Sequence, residues 1–329
     1  MPENNKPVIS VVIPSFNTGD YISRCLDSVQ KQTISAIEII CVDDGSVDET
    51  PKILSQHAAM DPRIRVITLP ENHGVPYARN LALDEAKGEY VYFMDSDDWI
   101  DPDYLEAMRT HAVETGQNVV INANWLIEED GSNKRTRSGD FGFIKEGAGY
   151  YSPGMVQRRF FPVVWTRLYR LDYLRVNNIK SPLLKGGVED NFFTGLAEIL
   201  QERSYIFHGP FYHYTQRKGS LVTRPDTGFL HFENFRLFHD ELVKRGLPKG
   251  AARLFFCHTK MIIANQEQFA FLRHFFLDVE DEVRAFPSYY SDYDLFLMDA
   301  VLECEDYKAW LAKYKPSVLM SFVSNKNKR

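Results

Sequence analysis

The sequence contains few cysteines, and none of them lies in a metal-binding pattern. Its 329 residues include four, Cys25, Cys41, Cys257 and Cys304, which are far apart and form neither a CxxC pair nor a zinc-type Cys/His spacing. Disulfide frameworks and zinc sites need cysteines at short, recurring spacings. We therefore expect buried, reduced thiols and a cytoplasmic protein.

Long hydrophobic runs are also missing. No stretch reaches the roughly 18 apolar residues that mark a transmembrane helix. The first apolar run, VISVVI at 8–13, is too short for the hydrophobic region of a signal peptide, and no basic region precedes it. We expect a chain that does not span a bilayer.

Positive charge is not in excess, because 38 Lys and Arg face 45 Asp and Glu, for a net charge of -7. Nucleic-acid-binding proteins usually carry a basic surplus that neutralises phosphates, so we expect no nucleic-acid partner. Glycine-rich phosphate loops are missing as well: neither GxGxxG nor GxxxxGK follows the first apolar run, where PSFNTGDY stands instead. This argues against a dehydrogenase, a P-loop kinase and a sugar nucleotidyltransferase.

What the first third of the chain does contain is a regular alternation of short apolar runs and amphipathic segments. The runs lie at 8–13, 36–42, 64–69, 90–95 and 118–122. Between them, Asp48 with Pro51 and Asp101 with Pro102 are helix-start signals, and Gly116 is a stop signal. The alternation predicts an α/β fold with a mostly parallel sheet flanked by helices.

The pattern changes after Asn124. The stretch WTRLYRLDYLRVNN at 165–178 has helical spacing and predicts a helix, and from Phe229 onward long helical periodicity indicates a C-terminal helical region. We therefore predict one domain at 1–225, with a nucleotide-binding half at about 7–125 and an acceptor half at about 126–225, and a helical region at 226–329.

Arginines are frequent in the middle of the chain. The segment includes Arg158, Arg159, Arg167, Arg170 and Arg175. They could face an anionic acceptor such as a lipid-linked diphosphate sugar. The apolar residues that alternate with them at helical spacing favour a second interpretation, in which the arginines form one solvated helix face.

Acidic residues gather where the fourth apolar run ends, in YVYFMDSDDW at 90–99. In open α/β sheets, ligands bind outside the carboxyl ends of the strands. Crowded carboxylates repel one another unless a cation or hydrogen-bond donors compensate, and carboxylate oxygens suit Mg²⁺ or Mn²⁺. We expect Asp97 to bind a metal that also contacts a diphosphate. For Asp98, capping of the following helix is an equally good interpretation.

Polar residues also follow the first two runs. Asp43 and Asp44 end the second run, where they could make a turn with Gly45 or accept a hydrogen bond from a nucleobase. Phe16 and Asn17 end the first run, where Phe16 could stack on a base or pack against the protein.

Four segments together carry a family resemblance. They are ISVVIPSFN, EIICVDDGSVDET, NHGVPYARNLALDEAKGEYVYFMDSDDW, and GGVEDNFF followed by HYTQRKGSLV. In this order and spacing they resemble the family 2 glycosyltransferases of the GT-A fold, over about residues 7–225, and bacterial polysaccharide-assembly members in particular.

The resemblance implies a nucleotide site. Pro14, Phe16 and Asn17 would line the base pocket, Asp43 would bind the base edge, and Asp44 would support it. Arg79 would reach the diphosphate or the base-side loop, with Asn80 beside it.

It also implies roles around the sugar and the diphosphate. Asp95 would contact the ribose, with Ser96 among the nucleotide-sugar-binding residues, and Asp97 would bind Mn²⁺ or Mg²⁺. Asp190 would be the catalytic base, with Glu189 beside it; a carboxylate pair that a helix N-terminus favours is the structural alternative.

Three further residues belong to this implied site. Arg217 and Ser220 would close over the diphosphate. His213 would be a second metal or phosphate contact, although a lone histidine is more often a structural residue.

The implied activity is inverting transfer of a sugar from a nucleotide diphosphate sugar, with UDP favoured by family frequency. The acceptor would be a saccharide or a lipid-linked saccharide in surface polysaccharide synthesis. Transfer to a polyprenyl phosphate and a non-catalytic sugar-nucleotide-binding protein are the alternatives. The C-terminal SVLMSFVSNKNKR combines an apolar segment with a basic end, so it could touch the cytoplasmic membrane surface or simply pack against the protein.

Overall fold

The computed structural model describes residues 6–129, 135–137, 148–151, 156, 163–183, 189–217, 228–247, 265–285 and 292–314. The chain divides into two compact units, Met1–Pro225 and Asp226–Arg329. Ser220, Arg158, Arg159, Cys257 and the segment 317–329 lie outside the described residues. Within those ranges, no helix combines the length and the apolar character needed to cross a membrane.

In its described residues, the first unit is built on two sheets. The strands are β1 (Ile9–Ser15), β2 (Ile37–Asp43), β3 (Ile64–Thr68), β4 (Tyr90–Phe93), β5 (Trp99–Ile100), β6 (Val119–Asn122), β7 (Trp125–Glu129), β8 (Arg135–Arg137), β9 (Gly149–Tyr151), β10 (Arg167–Arg170), β11 (Ser204–Phe207) and β12 (Tyr212–Gln216). Eight of these strands form a large sheet in the order β3-β2-β1-β4-β10-β6-β11-β9, and four form a small sheet in the order β5-β12-β7-β8.

The large sheet is mostly parallel, as predicted. β1 pairs in parallel with β2 and β4, and β2 pairs in parallel with β3. All seven residues of β1 are buried, because helices cover both faces of such a sheet. The register sets Ser15 opposite Asp43, so the polar residues that end β1 and β2 meet at one edge.

Helices of the first unit follow the predicted signals closely. They are α1 (Ile22–Gln30), α2 (Thr50–Met60), α3 (Val75–Glu85), α4 (Tyr104–Thr115), α5 (Leu171–Val176) and α6 (Glu189–Ile199). α4 ends at Gly116, whose φ of 65° is the left-handed conformation that glycine adopts without strain. It begins two residues after the predicted start, and Asp101 binds the backbone N–H of Phe211 instead of capping it.

The helix predicted over 165–178 is wrong in its first half. A 3-10 turn (Val164–Thr166) leads into strand β10, and only then does α5 begin. β10 lies antiparallel between β4 and β6 in the large sheet, so backbone pairing on both sides overrides the helical spacing of its side chains.

The predicted solvated arginine face is also wrong at its centre. Arg167 is completely buried, and its Nε lies 2.6 Å from Oε1 of Glu198. Arg175 donates to the carbonyl oxygens of Leu83 and Ala86 at the end of α3. These arginines hold elements of the first unit together.

The second unit is helical in its described residues, which confirms the predicted C-terminal helical region. It contains α7 (Gly228–Lys244), α8 (Gln266–Ala285), α9 (Asp292–Leu302) and α10 (Tyr307–Lys313). Buried aromatic rings pack α7 on α8, with Phe235 edge-to-face on Phe275 at 5.1 Å between centroids.

Candidate active site

The edge where β1 and β2 end carries a buried carboxylate with one free oxygen. Oδ1 of Asp43 accepts from the backbone N–H of Ser46 at 3.1 Å. Among the described residues, no partner lies within hydrogen-bond distance of its Oδ2. Buried polar atoms normally have a partner, so this oxygen is suited to accept a hydrogen bond from a ligand or a water molecule.

Asp44 has a supporting role next to it. Its two oxygens accept from the backbone N–H groups of His73 and Gly74 at 2.8 and 2.7 Å. The carboxylate thereby anchors the loop that leads into α3.

Phe16 and Asn17 lie at the same edge. Phe16 is 42% exposed, which leaves a ring face for a flat ligand. Asn17 adopts a positive φ of 50°, and its side chain accepts from the N–H of Val47 while its own N–H donates to Ser46. Asn17 therefore joins the loops after β1 and β2, whereas Pro14 is a buried residue of β1.

One buried guanidinium unites three of the predicted site residues. Nη2 of Arg79 lies 2.8 Å from Oδ1 of Asp95, and its Nη1 lies 2.6 Å from Oδ1 of Asp190. The side chain is only 5% exposed, so these are strong, desolvated charge-assisted contacts. The structure thus brings the predicted ribose-binding carboxylate and the predicted base to one cation.

Glu189 is the third carboxylate at this guanidinium. Its Oε1 lies 3.6 Å from Nη1 of Arg79. Burial, and next the charge of Asp190, raise the pKa of Glu189 from 4.5 to about 7. Burial also raises the pKa of Asp190, against the opposing effect of Arg79, while the N–H of Val164 donates to its Oδ2 at 3.2 Å.

The side chain of Asn80, next to Arg79 in sequence, binds a different segment from the carboxylates that Arg79 contacts. Its side chain forms two hydrogen bonds with the backbone of Ser181, at 2.8 and 3.0 Å. It holds the segment before α6 close to α3.

Asp97, the predicted metal ligand, is paired with Arg217. Oδ2 of Asp97 lies 2.6 Å from Nε of Arg217, whose guanidinium also lies over the ring of Tyr21 at 5.4 Å. Burial, and then the charge of Asp95, raise the pKa of Asp97. Ser96 is buried between the two aspartates.

Asp98 holds the acidic loop, residues 94–98 between β4 and β5, to the small, four-stranded sheet. It is fully buried, and it accepts from the N–H of Thr215 at 2.7 Å and from the hydroxyl of Tyr212 at 2.5 Å. Burial raises its pKa well above the ordinary value. Helix capping, the alternative considered for Asp98, is not what the side chain does.

His213 lies in a polar and aromatic cluster beside this loop. Nε2 is 2.9 Å from Oδ1 of Asp101, and Nδ1 is 3.3 Å from Oε1 of Glu128. The ring stacks on Trp99. Both nitrogens face protein carboxylates, so a metal ion at His213 would have to displace one of these contacts, and the metal role stays a prediction.

Two residues that sequence reasoning missed support the acidic loop. Tyr212 binds Asp98, and Arg24 of α1 donates to the backbone oxygen of Asp97 at 3.3 Å and to the hydroxyl of Thr215 at 2.7 Å. Neither belongs to a recognisable motif. Only the folded arrangement of α1, the loop and β12 makes them neighbours.

Comparison with known proteins shows the family of the chain. The family described as "Glycosyl transferase family 2" matches residues 10–175, about half of the chain. EpsH of Bacillus subtilis (strain 168) is 34% identical over 223 residues, which cover 66% of this chain and 63% of EpsH. The uncharacterized glycosyltransferase YibD of Escherichia coli (strain K12) is 32% identical over 65% of this chain and 60% of YibD. The match thus spans less than two thirds of either relative.

Solved structures show the same fold. TarS 1–349 of S. aureus, in complex with UDP-GlcNAc, superposes with a TM-score of 0.73 at 22% identity, over 96% of this chain and 92% of that chain. The fold is therefore GT-A, as the resemblance implied. Together with the family match over residues 10–175, this establishes that the chain belongs to glycosyltransferase family 2.

Proposed function

We propose that this chain is a metal-dependent, inverting glycosyltransferase. It moves a sugar from a nucleotide diphosphate sugar, with a UDP-sugar favoured, to a hydroxyl of a saccharide or lipid-linked saccharide in bacterial surface polysaccharide synthesis. TarS has been solved with UDP-GlcNAc and with UDP, which supports the choice of base.

The observation that carries the proposal is the contact of Arg79 with three carboxyl groups, those of Asp95, Glu189 and Asp190, which together form the Arg79 cluster. A glycosyl transfer needs a donor site and a proton acceptor held at a set separation. Arg79 of α3 binds Asp95 and Asp190 at once, at 2.8 and 2.6 Å, which supports a site where a donor-side and an acceptor-side carboxylate would be held together.

The donor would lie along the carboxyl edge of the large sheet. Its base would stack on Phe16 and donate to the free Oδ2 of Asp43. The ribose would contact Asp95, and Arg217 would neutralise part of the diphosphate charge. Asp190 would take the proton of the attacking hydroxyl while the diphosphate leaves from the opposite face of the sugar, which inverts the anomeric carbon.

The side chains around Asp97 would hold a divalent cation only together with further ligands from the substrate. Within the described ranges, no group of three or more His, Cys, Asp or Glu side chains is placed to hold a metal. Buried, crowded carboxylate oxygens suit a hard cation, and Mg²⁺ or Mn²⁺ commonly takes its other ligands from phosphates and water. The mannosyltransferase PcManGT of Pyrobaculum calidifontis was solved in complex with GDP-Man and Mn²⁺. The ion would stabilise charge on the leaving diphosphate.

Binding tests the donor site. We expect isothermal titration calorimetry to detect UDP binding that requires Mn²⁺ and that Asp97→Ala abolishes. The matched control is Asp27→Ala, which removes an exposed carboxylate of α1 that pairs with Lys31. UDP binding to Asp97→Ala as tight as to the wild type would contradict the metal assignment.

Activity tests the base. Asp190→Asn keeps the size of the side chain but removes the proton acceptor, so we expect transfer to fall by about 10²- to 10⁴-fold while UDP binding is retained. Asp172→Asn, an exposed position on α5, is the control. Normal transfer by Asp190→Asn would show that another group is the base.

A further inference from the structure

Among the residues that the structure describes, the Arg79 cluster sets one cation against three carboxyl groups, those of Asp95, Glu189 and Asp190. We propose that Glu189 is a positioning residue for Asp190: by competing for Arg79, it decides whether Oδ1 of Asp190 is held by the guanidinium or is free to accept a proton. The inference rests on the proposed function, because it concerns the base of that reaction.

Both oxygens of Asp190 are engaged in the structure. Oδ1 lies 2.6 Å from Nη1 of Arg79, and Oδ2 accepts from the N–H of Val164 at 3.2 Å. A carboxylate oxygen that already accepts from a cation is a poor proton acceptor, because protonation would cost that charge-assisted bond. Loosening of the Arg79 contact would therefore make Oδ1 of Asp190 a better proton acceptor, while Val164 still holds Oδ2.

Glu189 and Arg79 each retain one unused hydrogen-bonding atom. Among the described residues, no partner lies within hydrogen-bond distance of Oε2 of Glu189 or of Nε of Arg79, and both atoms are buried. The groups are already close, with Nη1 of Arg79 3.6 Å from Oε1 of Glu189. A shift of the guanidinium toward Glu189 would shorten this separation and weaken the contact of Nη1 with Oδ1 of Asp190.

The charge on Glu189 controls this exchange. In the described part of the chain, the charged groups that act on it are Arg79 from α3, Asp95 from the loop after β4 and Asp190 from α6 itself. Burial and the charge of Asp190 raise its pKa to about 7, so near neutrality it passes from a neutral acid, which binds Arg79 weakly, to a carboxylate, which binds it strongly.

The proton then follows a simple route. The hydroxyl of the acceptor gives its proton to Oδ1 of Asp190 as its oxygen forms a bond to the anomeric carbon. The bond from that carbon to the diphosphate oxygen breaks, and its electron pair leaves with the diphosphate. Glu189 takes no part in bond making.

Carboxyl NMR tests the titration without any activity. In the full chain labelled with ¹³C at glutamate carboxyl groups, the Glu189 signal is the one lost in Glu189→Gln. We expect its midpoint near pH 7, and a lower midpoint in Asp190→Asn, which removes a neighbouring negative charge. The ¹⁵Nε–H signal of Arg79 should shift with the same midpoint. A midpoint near 4.5, or an Arg79 signal that does not move near neutrality, overturns the proposal.

Kinetics test the consequence, with UDP-GlcNAc hydrolysis in the presence of Mn²⁺ as the probe reaction. We expect the wild-type rate to rise with pH through neutrality, and the Glu189→Gln rate to be flat and about tenfold lower at about pH 8. Glu189→Asp should restore part of the rise, whereas Glu202→Gln, an exposed control, should match the wild type.

NMR and kinetics together distinguish failure of this inference from failure of the proposed function. A wild-type pH profile in folded Glu189→Gln overturns the positioning role even if transfer is normal. If UDP-GlcNAc is not hydrolysed at all, the proposed function fails for that donor, and the carboxyl and guanidinium titrations alone decide the inference.

Discussion

At the scale of single residues, the first unit relies on arginines that are buried with carboxylates. Arg79 and Arg167 are the clearest cases, with side chains 5% and 0% exposed. Burying such pairs rarely adds net stability, but removing one partner leaves an uncompensated charge and typically costs about 3 to 5 kcal/mol. Each arginine therefore connects separate elements of the unit. Arg167 joins β10 to α6, and Arg79 joins α3 to the acidic loop and α6.

A residue-scale prediction concerns Asp61, which follows α2. Its hydrogen bonds from Arg63 are the main cause that lowers its pKa to about 2. A lowered pKa stabilises the folded state above the unfolded value of 3.8, and this contribution is lost as the pH falls through about 2. We expect Asp61→Asn to lower the free energy of unfolding by about 1 to 2 kcal/mol at pH 7, because solvent partly screens the pair.

Urea denaturation at several pH values measures this effect. The difference between Asp61→Asn and the wild type should shrink toward zero as the pH approaches 2. Asp27→Asn, which removes an exposed carboxylate paired with Lys31, should change the free energy of unfolding by less than about 0.5 kcal/mol. A difference for Asp61→Asn that stays constant from pH 7 to acid would contradict the role of its charge.

At the scale of elements, β12 organises the acidic loop. Tyr212 and Thr215 on this strand bind Asp98, and Arg217, which directly follows it, binds Asp97. The strand is held between β5 and β7 in the small sheet. The geometry around Asp97 therefore depends on a strand more than 100 residues away in sequence.

An element-scale prediction follows from the buried hydroxyl of Tyr212. Tyr212→Phe keeps the stacking on Trp165 but leaves Asp98 without one of its donors. We expect the free energy of unfolding to fall by about 1 to 3 kcal/mol, because an unsatisfied buried acceptor is costly. Chemical denaturation measures it, and Tyr150→Phe, on a tyrosine 47% exposed, is the matched control. Equal stability of the two variants would mean that the Tyr212–Asp98 bond contributes nothing.

At the scale of the whole molecule, the candidate site belongs to one unit. All the residues of the Arg79 cluster, the acidic loop and the β1–β2 edge lie within Met1–Pro225. The domain boundary predicted from sequence also lies between Pro225 and Asp226. It stays a prediction until the first unit is isolated.

A truncated chain tests the predicted domain boundary. We expect a fragment of residues 1–225 to unfold cooperatively in urea and to bind UDP with Mn²⁺ as the full chain does, because its core and its site are internal to it. Circular dichroism and calorimetry measure the two properties, with the full chain as reference. A fragment that lacks a cooperative transition would show that the helical unit is needed for folding.

Local sequence was informative where elements bury their side chains in a regular pattern. The five predicted strands correspond to β1, β2, β3, β4 and β6 to within two residues at each end. On α1, Ile22, Cys25, Leu26 and Val29 recur at helical spacing, and all four are buried. In these elements the local sequence pattern and the tertiary environment favour the same structure, so the pattern alone predicts the element.

Local sequence misled where long-range pairing decided the structure. The helical spacing around Leu168 and Leu171 predicted one helix, yet backbone bonds to β4 and β6 made the first part a strand. Asp98 and Asp101 stand where the sequence indicates a helix start, yet their side chains bind partners on or next to β12, namely Tyr212, Thr215, Phe211 and His213. No local pattern contains those partners.

The amino-acid sequence by itself determined the class of fold, the edge of the sheet where polar residues gather, and the family, because periodicity and short motifs are local properties. The tertiary structure decided which charges meet: Arg79 with Asp95 and Asp190, Arg217 with Asp97, and Tyr212 with Asp98. Electrostatic interactions depend on distance and burial, and both arise only when segments remote in sequence pack together.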